Sequence, residues 1–434
     1  MLSGRALELT QYGALDGDRG RAPSPEDWVI VEEANIRFRG FGVPVLFDAV
    51  LKAVPSNFCQ ADALAGEEDP LGQRDVGDSS DEYTEGPGSV ANDAVGGGIA
   101  GSGELPDLVR ADLGWVPKLG ALGVLAPLDT AMSDFVTLSA DTYPGSLATN
   151  KWGDHYYGIP LDTNTRVLIT NPKTLAAAGI VNPPATFAEL KAAAPKLAAK
   201  KISVFADGGL QGWNIYPWIW SAGGETTSPD VTKATGFLDS DASVSGVQML
   251  VDLYKQGAIP NLIIGNKGAT QTSDGLPKGQ YASILDGPWM TGVWSGQYPS
   301  FKPTYSAVPA GAGGSISVVG GEDIVMSASS KHQDAAMKFI RFTQTAGYQL
   351  AMAKTGQMSV VKSLDAQEAS LVPAFAPFIA QLQTAKPRPA VPQASQIDTV
   401  LQNELTKAFE GAESVKDALS KAASQIDPLL TATK

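Results

Sequence analysis

Tryptophan residues are concentrated in one part of the sequence, and their chemistry suggests a use. Five of the eight tryptophans fall in residues 213–294, and these are Trp213, Trp218, Trp220, Trp289 and Trp294. Rings at alternate or near-alternate positions cannot all point into one core, so we expect some to face a cleft. An indole face suits the apolar CH face of a pyranose, whose hydroxyls then need polar partners. The alternative interpretation is a tryptophan-rich hydrophobic core.

Polar side chains that could meet such hydroxyls lie near predicted turns. The segment VRADLGW holds Arg110 and Asp112, PLDTNTR holds Asp162, Asn164 and Arg166, and VVGGEDIVM holds Glu322. The three polar residues of PLDTNTR alternate, so a strand would present them on the same side. Carboxylate, amide and guanidinium groups can form paired hydrogen bonds to vicinal hydroxyls. The alternative is that they are solvated charges on an exposed strand face.

The stretch ILDGPWM ends a strand-like run, YASIL, with three turn-forming residues. Pro288 fixes φ, Gly287 permits a positive φ, and Asp286 can hydrogen-bond to its own backbone. Trp289 would therefore stand on a rigid corner at the end of a strand. A ring in that place either fills a core or offers its face to a ligand.

Catalysis by carboxylates, as in glycoside hydrolysis, would require two acids held about 5–9 Å apart. The sequence has many carboxylates but no local signature of such a pair, and it lacks the G-x-S-x-G, H-E-x-x-H and G-x-x-x-x-G-K motifs. The two histidines, His155 and His332, show no metal-ligand spacing. We therefore expect a binding protein that is not an enzyme and uses no metal or cofactor.

The length, composition and charge of the chain limit the classes of protein to which it can belong. The 434 residues, 43% hydrophobic and 18% charged, are enough for two packed lobes. No window offers the ~18 uninterrupted apolar residues of a membrane span, and the single cysteine, Cys59, excludes an internal disulfide. Residues 1–100 carry 18 acidic and 7 basic residues, which supply most of the net charge of −14. The remainder is nearly neutral, so we expect no nucleic-acid surface.

Strand-like and helix-like segments alternate from about Gly101 onward, which favours an α/β fold. Strands are predicted within 105–113 and, twice, within 156–171. Helices are predicted over 116–123, 172–180, 186–201, 242–259, 332–356 and, split by Gly411, 395–430. Thr186 and Glu189 form a predicted capping box. Residues 1–100 lack such periodicity: we predict an acidic, poorly ordered segment in which only 28–54 favours a strand and a short helix.

Six segments occur in one order over residues 101–434 and together resemble a known family. They are GSGELPDLVRADLGWVPKLGALGVLAPLD, DHYYGIPLDTNTRVLITNPKTLAAAGI, WSAGGE, YASILDGPWM, VVGGEDIVMSASSKHQDAAMKFIRF and PRPAVPQASQI. The order resembles the extracellular solute-binding proteins of ABC sugar importers, the group of the maltose/maltodextrin-binding proteins, most of all those of actinobacteria. The resemblance implies the two-lobed α/β periplasmic-binding-protein fold of type II.

That fold implies crossings between lobes near Leu161–Thr163, Tyr305–Ala310 and Tyr348. Lobe 1 would comprise 101–162 and 310–347, and lobe 2 would comprise 163–309 and 348–434. The family's ligand contacts correspond here to Arg110, Asp112, Trp115, Asp162, Asn164, Trp213, Tyr216, Asp286, Trp289, Gly321 and Glu322. The implied ligand is an oligosaccharide, with maltose-type α-glucosides favoured. The alternatives are another oligosaccharide, a polyol or a glycerophosphodiester in the same fold, a glycoside-acting enzyme, and a surface adhesin.

The resemblance further implies a monomer that delivers its ligand to the permease of an ABC transporter. It implies an extracellular place, lipid-anchored at the cell surface or periplasmic, although no signal peptide is visible at Met1. Residues 1–100 depart from the family pattern of strand, helix and strand. We expect a shifted reading frame upstream of about Gly97 or, alternatively, an unrelated N-terminal extension. In either case the first lobe would lack central strands.

Overall fold

The computed structural model of the protein describes residues 28–31, 36–39, 106–265 and 268–431. Its strands are β1 (Trp28–Val31), β2 (Ile36–Arg39), β3 (Leu108–Asp112), β4 (Lys151–Trp152), β5 (His155–Tyr156), β6 (Gly158–Thr165), β7 (Val167–Thr170), β8 (Ser283–Asp286), β9 (Thr304–Ser306) and β10 (Val319–Met326). They form a five-stranded sheet in the order β1-β2-β3-β10-β6, a three-stranded sheet in the order β8-β7-β9, and the small β4-β5 hairpin.

Helices surround both larger sheets, so the predicted α/β class is confirmed. They are α1 (Val116–Ala121), α2 (Leu128–Ala131), α3 (Phe135–Ser139), α4 (Pro144–Ala148), α5 (Pro172–Ala177), α6 (Phe187–Ala198), α7 (Gly212–Ser221), α8 (Asp241–Lys255), α9 (Thr272–Gly275), α10 (Met290–Gln297), α11 (Gln333–Thr343), α12 (Ala346–Lys354), α13 (Asp365–Leu371), α14 (Ala376–Leu382), α15 (Ala394–Glu410) and α16 (Val415–Thr431). Short 3-10 turns lie at 261–264, 362–364 and 373–375.

Capping residues explain several helix boundaries. Thr186 begins α6 by accepting the Glu189 backbone N–H at 3.1 Å, as the capping box predicts. Gly411 ends α15 in the left-handed region at φ 79°, which separates α15 from α16 as predicted. The single helix predicted over 332–356 is two helices, because Thr345 caps a new helix by accepting the Tyr348 N–H.

Strand β10 lies between β3 and β6 in the five-stranded sheet and is antiparallel to both. Its register on β6 shifts after Glu322: Glu322 lies opposite Asp162, whereas the next residue, Asp323, lies opposite Pro160. Leu161 is therefore an extra residue without a partner on β10, which makes this a β-bulge. Leu161 packs into the core, while Asp162 occupies the register position beside Glu322.

Each sheet is covered on both faces by apolar side chains. On the five-stranded sheet, one cluster packs Leu108, Ile159 and Ile324 with α11 and α12, and another packs Val109 and Val325 with α1. The three-stranded sheet lies between two further clusters. One includes Leu168 and Leu285 with α6, α7, α8, α15 and α16, and the other includes Val167 and Ile284 with α10 and α14. Each of the two larger sheets therefore lies between its own pair of apolar clusters.

The chain passes directly from one sheet to the other at Arg166, the only residue between β6 and β7. It returns through residues 307–318, between β9 and β10. In α12, Met352 packs in the cluster of Ile324 on the five-stranded sheet, and Ala353 packs in the cluster of Val167 on the three-stranded sheet. The crossings implied near Leu161–Thr163, Tyr305–Ala310 and Tyr348 lie close to these links in sequence, and the lobe boundaries stay a prediction.

Most of the N-terminal segment lies outside the described residues, including the predicted short helix after residue 39 and the acidic stretch 67–89. The two strands described there were only partly expected. β1 and β2 join the five-stranded sheet, with β2 parallel to β3. They lie at one end of this sheet, and the expectation that the first lobe lacks central strands stays a prediction. Within the described ranges, the helices are too short or too polar to cross a membrane.

Candidate functional site

A row of carboxylates crosses the five-stranded sheet where β3 ends. Asp112, Glu322 and Asp162 are direct neighbours across β3, β10 and β6, so their side chains share one face of the sheet. Arg110, two residues before Asp112, lies on the same face. Its Nη2 is 3.1 Å from Asp162 Oδ2 and 2.8 Å from Glu322 Oε2. One guanidinium thus pairs with two of the three acids.

This arrangement leaves negative charge incompletely compensated. Burial and the neighbouring Asp162 carboxylate raise the pKa of Glu322 well above its usual range, although Arg110 acts in the opposite direction. On the other face of the sheet, burial also raises the pKa of Asp323, which accepts a hydrogen bond from Asn150 Nδ2 at 2.7 Å. Polar groups that gain hydrogen-bond donors from a ligand would be stabilised here.

The backbone beside this row approaches a tryptophan closely. Gly320 lies opposite Asn164 in the sheet, and a Cβ added to Gly320 would come within 2.2 Å of Asn164 Oδ1 and 2.8 Å of the Trp213 ring. Gly321 has φ 135°, and a Cβ there would lie 2.4 Å from the Asp162 carbonyl oxygen. Both glycines are needed because side chains would occupy space already filled.

Trp213 stacks on Trp289. Their ring centroids are 6.2 Å apart and their planes are inclined by 28°. Trp213 is the second residue of α7, which packs on the three-stranded sheet, yet its ring touches Gly320 of the five-stranded sheet. Trp289 follows the turn after β8, where the Gly287 N–H donates to Asp286 Oδ1 at 2.8 Å. The two rings therefore lie at the junction of the two sheets.

A second arginine, Arg166, lies beside the Trp213 ring. Arg166 donates to the Asp207 carboxylate at 2.8 Å and to the Trp213 carbonyl at 3.1 Å. Burial raises the pKa of Asp286 to about 6, with the Arg166 guanidinium opposing the rise. The prediction that Arg166 shares a strand face with Asp162 and Asn164 is wrong, because β6 ends at Thr165.

A third arginine joins the two sides of the junction. The Arg388 guanidinium carbon lies 5.9 Å from the Trp213 ring centroid, and its nitrogens are 3.9 Å from Asp112 and 3.9 Å from Asp398. Together with Tyr216 and Thr149 it lines a small cavity that is open to solvent. Asp398 also accepts the Gly212 N–H at 2.8 Å.

The structure brings most of the predicted site residues to this junction. The polar row and its glycine are Arg110, Asp112, Asp162, Asn164, Gly321 and Glu322, and the other side supplies Trp213, Tyr216, Asp286 and Trp289. Tyr216 is buried against Trp220, with its edge on the cavity. Trp115 packs in the apolar cluster of Val109 and Leu119, so the structure gives it a core position, and its ligand contact stays a prediction.

The alternative of a tryptophan-rich core holds for the other rings. Trp218 and Trp220 are fully buried in one core and Trp294 in another. Of the five tryptophans in this region, only Trp213 and Trp289 stay partly exposed. Their spacing in sequence could not separate the two sets, because α7 is apolar on every side.

The sequence alone did not single out Arg388, Asp398, Asp207 and Asn214. It also placed Arg166 on a strand face with Asp162 and Asn164. Arg388 stands within PRPAVPQASQI, a segment whose family likeness could have signalled it. Asp207 and Asp398 carry no local signal, because their partners lie 41 and 186 residues away in sequence. Among the described residues no group of His, Cys, Asp or Glu has the arrangement of a metal site.

Comparison with known proteins agrees with this fold. A protein of Brucella abortus named as a binding protein is 25% identical over 351 residues, which cover 76% of this chain and 80% of that protein. The galactooligosaccharide-binding protein of Bacillus subtilis is 24% identical over 188 residues, 43% of this chain and 45% of that protein.

A solved structure resembles the chain over nearly its full length. The cyclic α-maltosyl-1,6-maltose binding protein of Arthrobacter globiformis aligns with a TM-score of 0.73 and 23% identity, covering 91% of this chain and 98% of that one. This likeness shows the two-lobed periplasmic-binding-protein fold that the sequence resemblance implies. The family model of the bacterial extracellular solute-binding proteins matches residues 82–350, so the chain belongs to that family.

Proposed function

We propose that this protein is the substrate-binding component of an ABC importer and that it binds an oligosaccharide, with maltose-type α-glucosides favoured. The observation that carries the proposal is the Trp213–Trp289 pair beside the Arg110–Asp162–Glu322 row. Indole rings offer apolar faces for sugar rings, and the adjacent charged groups offer partners for hydroxyls. No step in this function breaks a bond, so we propose binding without catalysis.

Hydrogen-bond acceptors are available at the right place. Within the described part of the chain, the buried oxygens Asp162 Oδ1 and Asn164 Oδ1 accept no hydrogen bond. A buried acceptor without a donor costs roughly 1–3 kcal/mol. Sugar hydroxyls, each a donor as well as an acceptor, would satisfy these atoms while their ring stacks on an indole.

The two-sided construction of the junction fits binding by closure. Arg110, Asp162 and Glu322 belong to one sheet, whereas Asp286 ends a strand of the other sheet and Trp289 follows that strand. We propose that the lobes are 101–162 with 310–347 and 163–309 with 348–434, and that they close on the ligand by bending at their links. The ligands named for the Bacillus and Arthrobacter proteins support a carbohydrate in this cleft.

The proposal also includes the oligomeric state, the cellular location and the transporter partner. The protein would act as a monomer, lipid-anchored at the cell surface or periplasmic, and present its ligand to the permease. Another oligosaccharide, a polyol or a glycerophosphodiester remains the alternative ligand.

Calorimetry against a panel of α- and β-linked oligosaccharides, polyols and glycerophosphodiesters tests this function. We expect saturable binding of an α-glucoside and recovery of the sugar unchanged after long incubation. Hydrolysed sugar would instead indicate an enzyme, and the absence of any saturable ligand in the panel would contradict the proposal.

A further inference from the structure

The residue that links the two sheets, Arg166, also contacts the two segments that carry Trp213 and Trp289. Arg166 lies between β6 and β7 and is buried, with 3% of its side chain exposed. Its guanidinium forms hydrogen bonds to three different segments, at Asp207, at the Trp213 carbonyl and at the Leu285 carbonyl. A buried arginine commits its rigid fork of donors to fixed directions, so these segments are held relative to one another.

The first of these segments carries Trp213. Besides the bond to its carbonyl, the guanidinium carbon of Arg166 lies 5.5 Å from the Trp213 ring centroid. Asp207 extends the same attachment, because its Oδ1 also accepts hydrogen bonds from Asn214 Nδ2 and from the Gly208 N–H at 2.8 Å. Arg166 and Asp207 thus hold the first turn of α7, from which the Trp213 ring projects.

The second segment carries Trp289. Leu285 is the penultimate residue of β8, and Asp286 follows it directly at the start of the Gly287–Pro288 corner. This corner is stiff, because Asp286 Oδ1 accepts the Gly287 N–H and Pro288 has a fixed φ. An interaction that fixes Leu285 therefore fixes the base from which the Trp289 ring extends.

The backbone of Arg166 is tied to the return link as well. Ser317 Oγ donates to the Arg166 carbonyl at 2.7 Å, and Ser317 lies in the segment 307–318 that leads back to β10. Two of the links between the sheets, Arg166 and 307–318, therefore meet at Arg166. Movement of either link would be transmitted to the bases of both rings.

We propose that Arg166 is a positioning residue that fixes the Trp213–Trp289 stack and couples its geometry to the links between the two sheets. Its effect on ligand affinity rests on the proposed sugar-binding function, whereas its effect on the stack does not. Arg166 acts through the tryptophans, and it need not contact a ligand.

The test observes the stack directly in the ligand-free full chain. Two stacked indoles couple their ultraviolet transitions and give paired bands of opposite sign in circular dichroism, and Trp213→Phe identifies which bands belong to this pair. Arg166→Met removes the guanidinium but keeps an unbranched chain, and Arg166→Lys keeps the charge without the fork. Arg341→Met is the matched control, because Arg341 also binds a carboxylate with two nitrogens, at 2.6 and 2.8 Å, but on Asp134.

We expect Arg166→Met to lose the bands assigned to the pair, Arg166→Lys to recover part of them, and Arg341→Met to retain them. Where a sugar binds the wild type, we expect Arg166→Met to weaken binding by about tenfold or more, because the stacking surface loses its preorganisation. Wild-type bands in folded Arg166→Met would overturn the proposal.

If Arg166→Met does not fold, Arg166→Lys and Asp207→Asn carry the test, and unchanged bands in both would overturn it. Because the bands require no sugar, a protein that binds none of the sugars contradicts the proposed function and leaves this measurement valid.

Discussion

Arg110 and Glu322, from adjacent antiparallel strands, bring Nη2 and Oε2 within 2.8 Å of each other on a sheet face that also holds Asp162. One guanidinium thus pairs with two carboxyl groups at a position largely shielded from solvent. Removing one partner of a buried ion pair lowers the stability strongly, because the other charge then stays buried and unpaired.

We therefore expect Arg110→Met to lower the free energy of unfolding by about 3–5 kcal/mol. Chemical denaturation at neutral pH measures the change. Arg341→Met is the control: its ion pair with Asp134 has side chains 38% and 42% exposed, so we expect a loss of only about 0–1 kcal/mol. Equal losses in the two variants would mean that the Arg110 cluster is effectively solvated.

Trp289→Ala should weaken sugar binding by more than ~10-fold, from lost stacking of roughly 1–3 kcal/mol, while the fold stays intact. Calorimetry and a melting curve on the same sample separate the two effects. Trp152→Ala, in the β4-β5 hairpin, should leave affinity unchanged. A large fall in melting temperature with unchanged affinity would assign Trp289 to the core alone.

Gly320→Ala places a Cβ where Asn164 Oδ1 and the Trp213 ring already lie, at 2.2 and 2.8 Å. We expect lower affinity, by about tenfold, and a loss of stability of about 1–3 kcal/mol, because both neighbours must move. Gly292→Ala in α10 is the matched control: its Cβ would meet nothing within 4 Å, so helix propensity predicts a gain of roughly 0.5–1 kcal/mol. If Gly320→Ala retains wild-type affinity, then Asn164 and Trp213 are free to rearrange.

Stability should fall as pH rises through the titration of Glu368. Burial raises the pKa of Glu368 to about 7, although Oε1 accepts the Ser359 N–H at 2.7 Å. The native state therefore binds the proton more tightly than the unfolded chain, whose pKa is about 4.3. The resulting stabilisation is complete below about pH 4 and is lost on the way up to about pH 7.

Glu368→Gln keeps an acceptor for Ser359 and removes the titration. Relative to wild type, it should gain about 1–3 kcal/mol between pH 4.5 and pH 7.5 in denaturant titrations. The exposed Glu410→Gln should show no such gain. A constant difference between Glu368→Gln and wild type across this range would contradict the assignment.

Local patterns predicted local structure well. Thr186, Glu189 and Gly411 mark helix ends through bonds and dihedral angles that reach only a few residues, and the corner at 286–289 follows from Asp-Gly-Pro chemistry. Family resemblance then placed Arg110, Asp162 and Glu322 together.

The remaining site geometry depends on pairings that no short segment contains. Arg166 meets Asp207 and Leu285 only after two sheets have formed, and Arg388 reaches Asp112 across most of the chain. The division of rings between core and junction likewise depends on which side of α7 faces β10. Sequence periodicity could not decide it, because nearly every residue of that helix is apolar.

The unpaired residue in β6 places two consecutive side chains on the same side of the sheet. Leu161 packs in the core on that side, and Asp162 lies beside Glu322. Removing Leu161 would let Ile159, Pro160 and Asp162 pair with Ile324, Asp323 and Glu322 without a bulge, so the acids would keep their face and the core would lose one apolar side chain. The extra residue therefore adds apolar packing beneath the proposed site without changing the side of the sheet that its acids occupy.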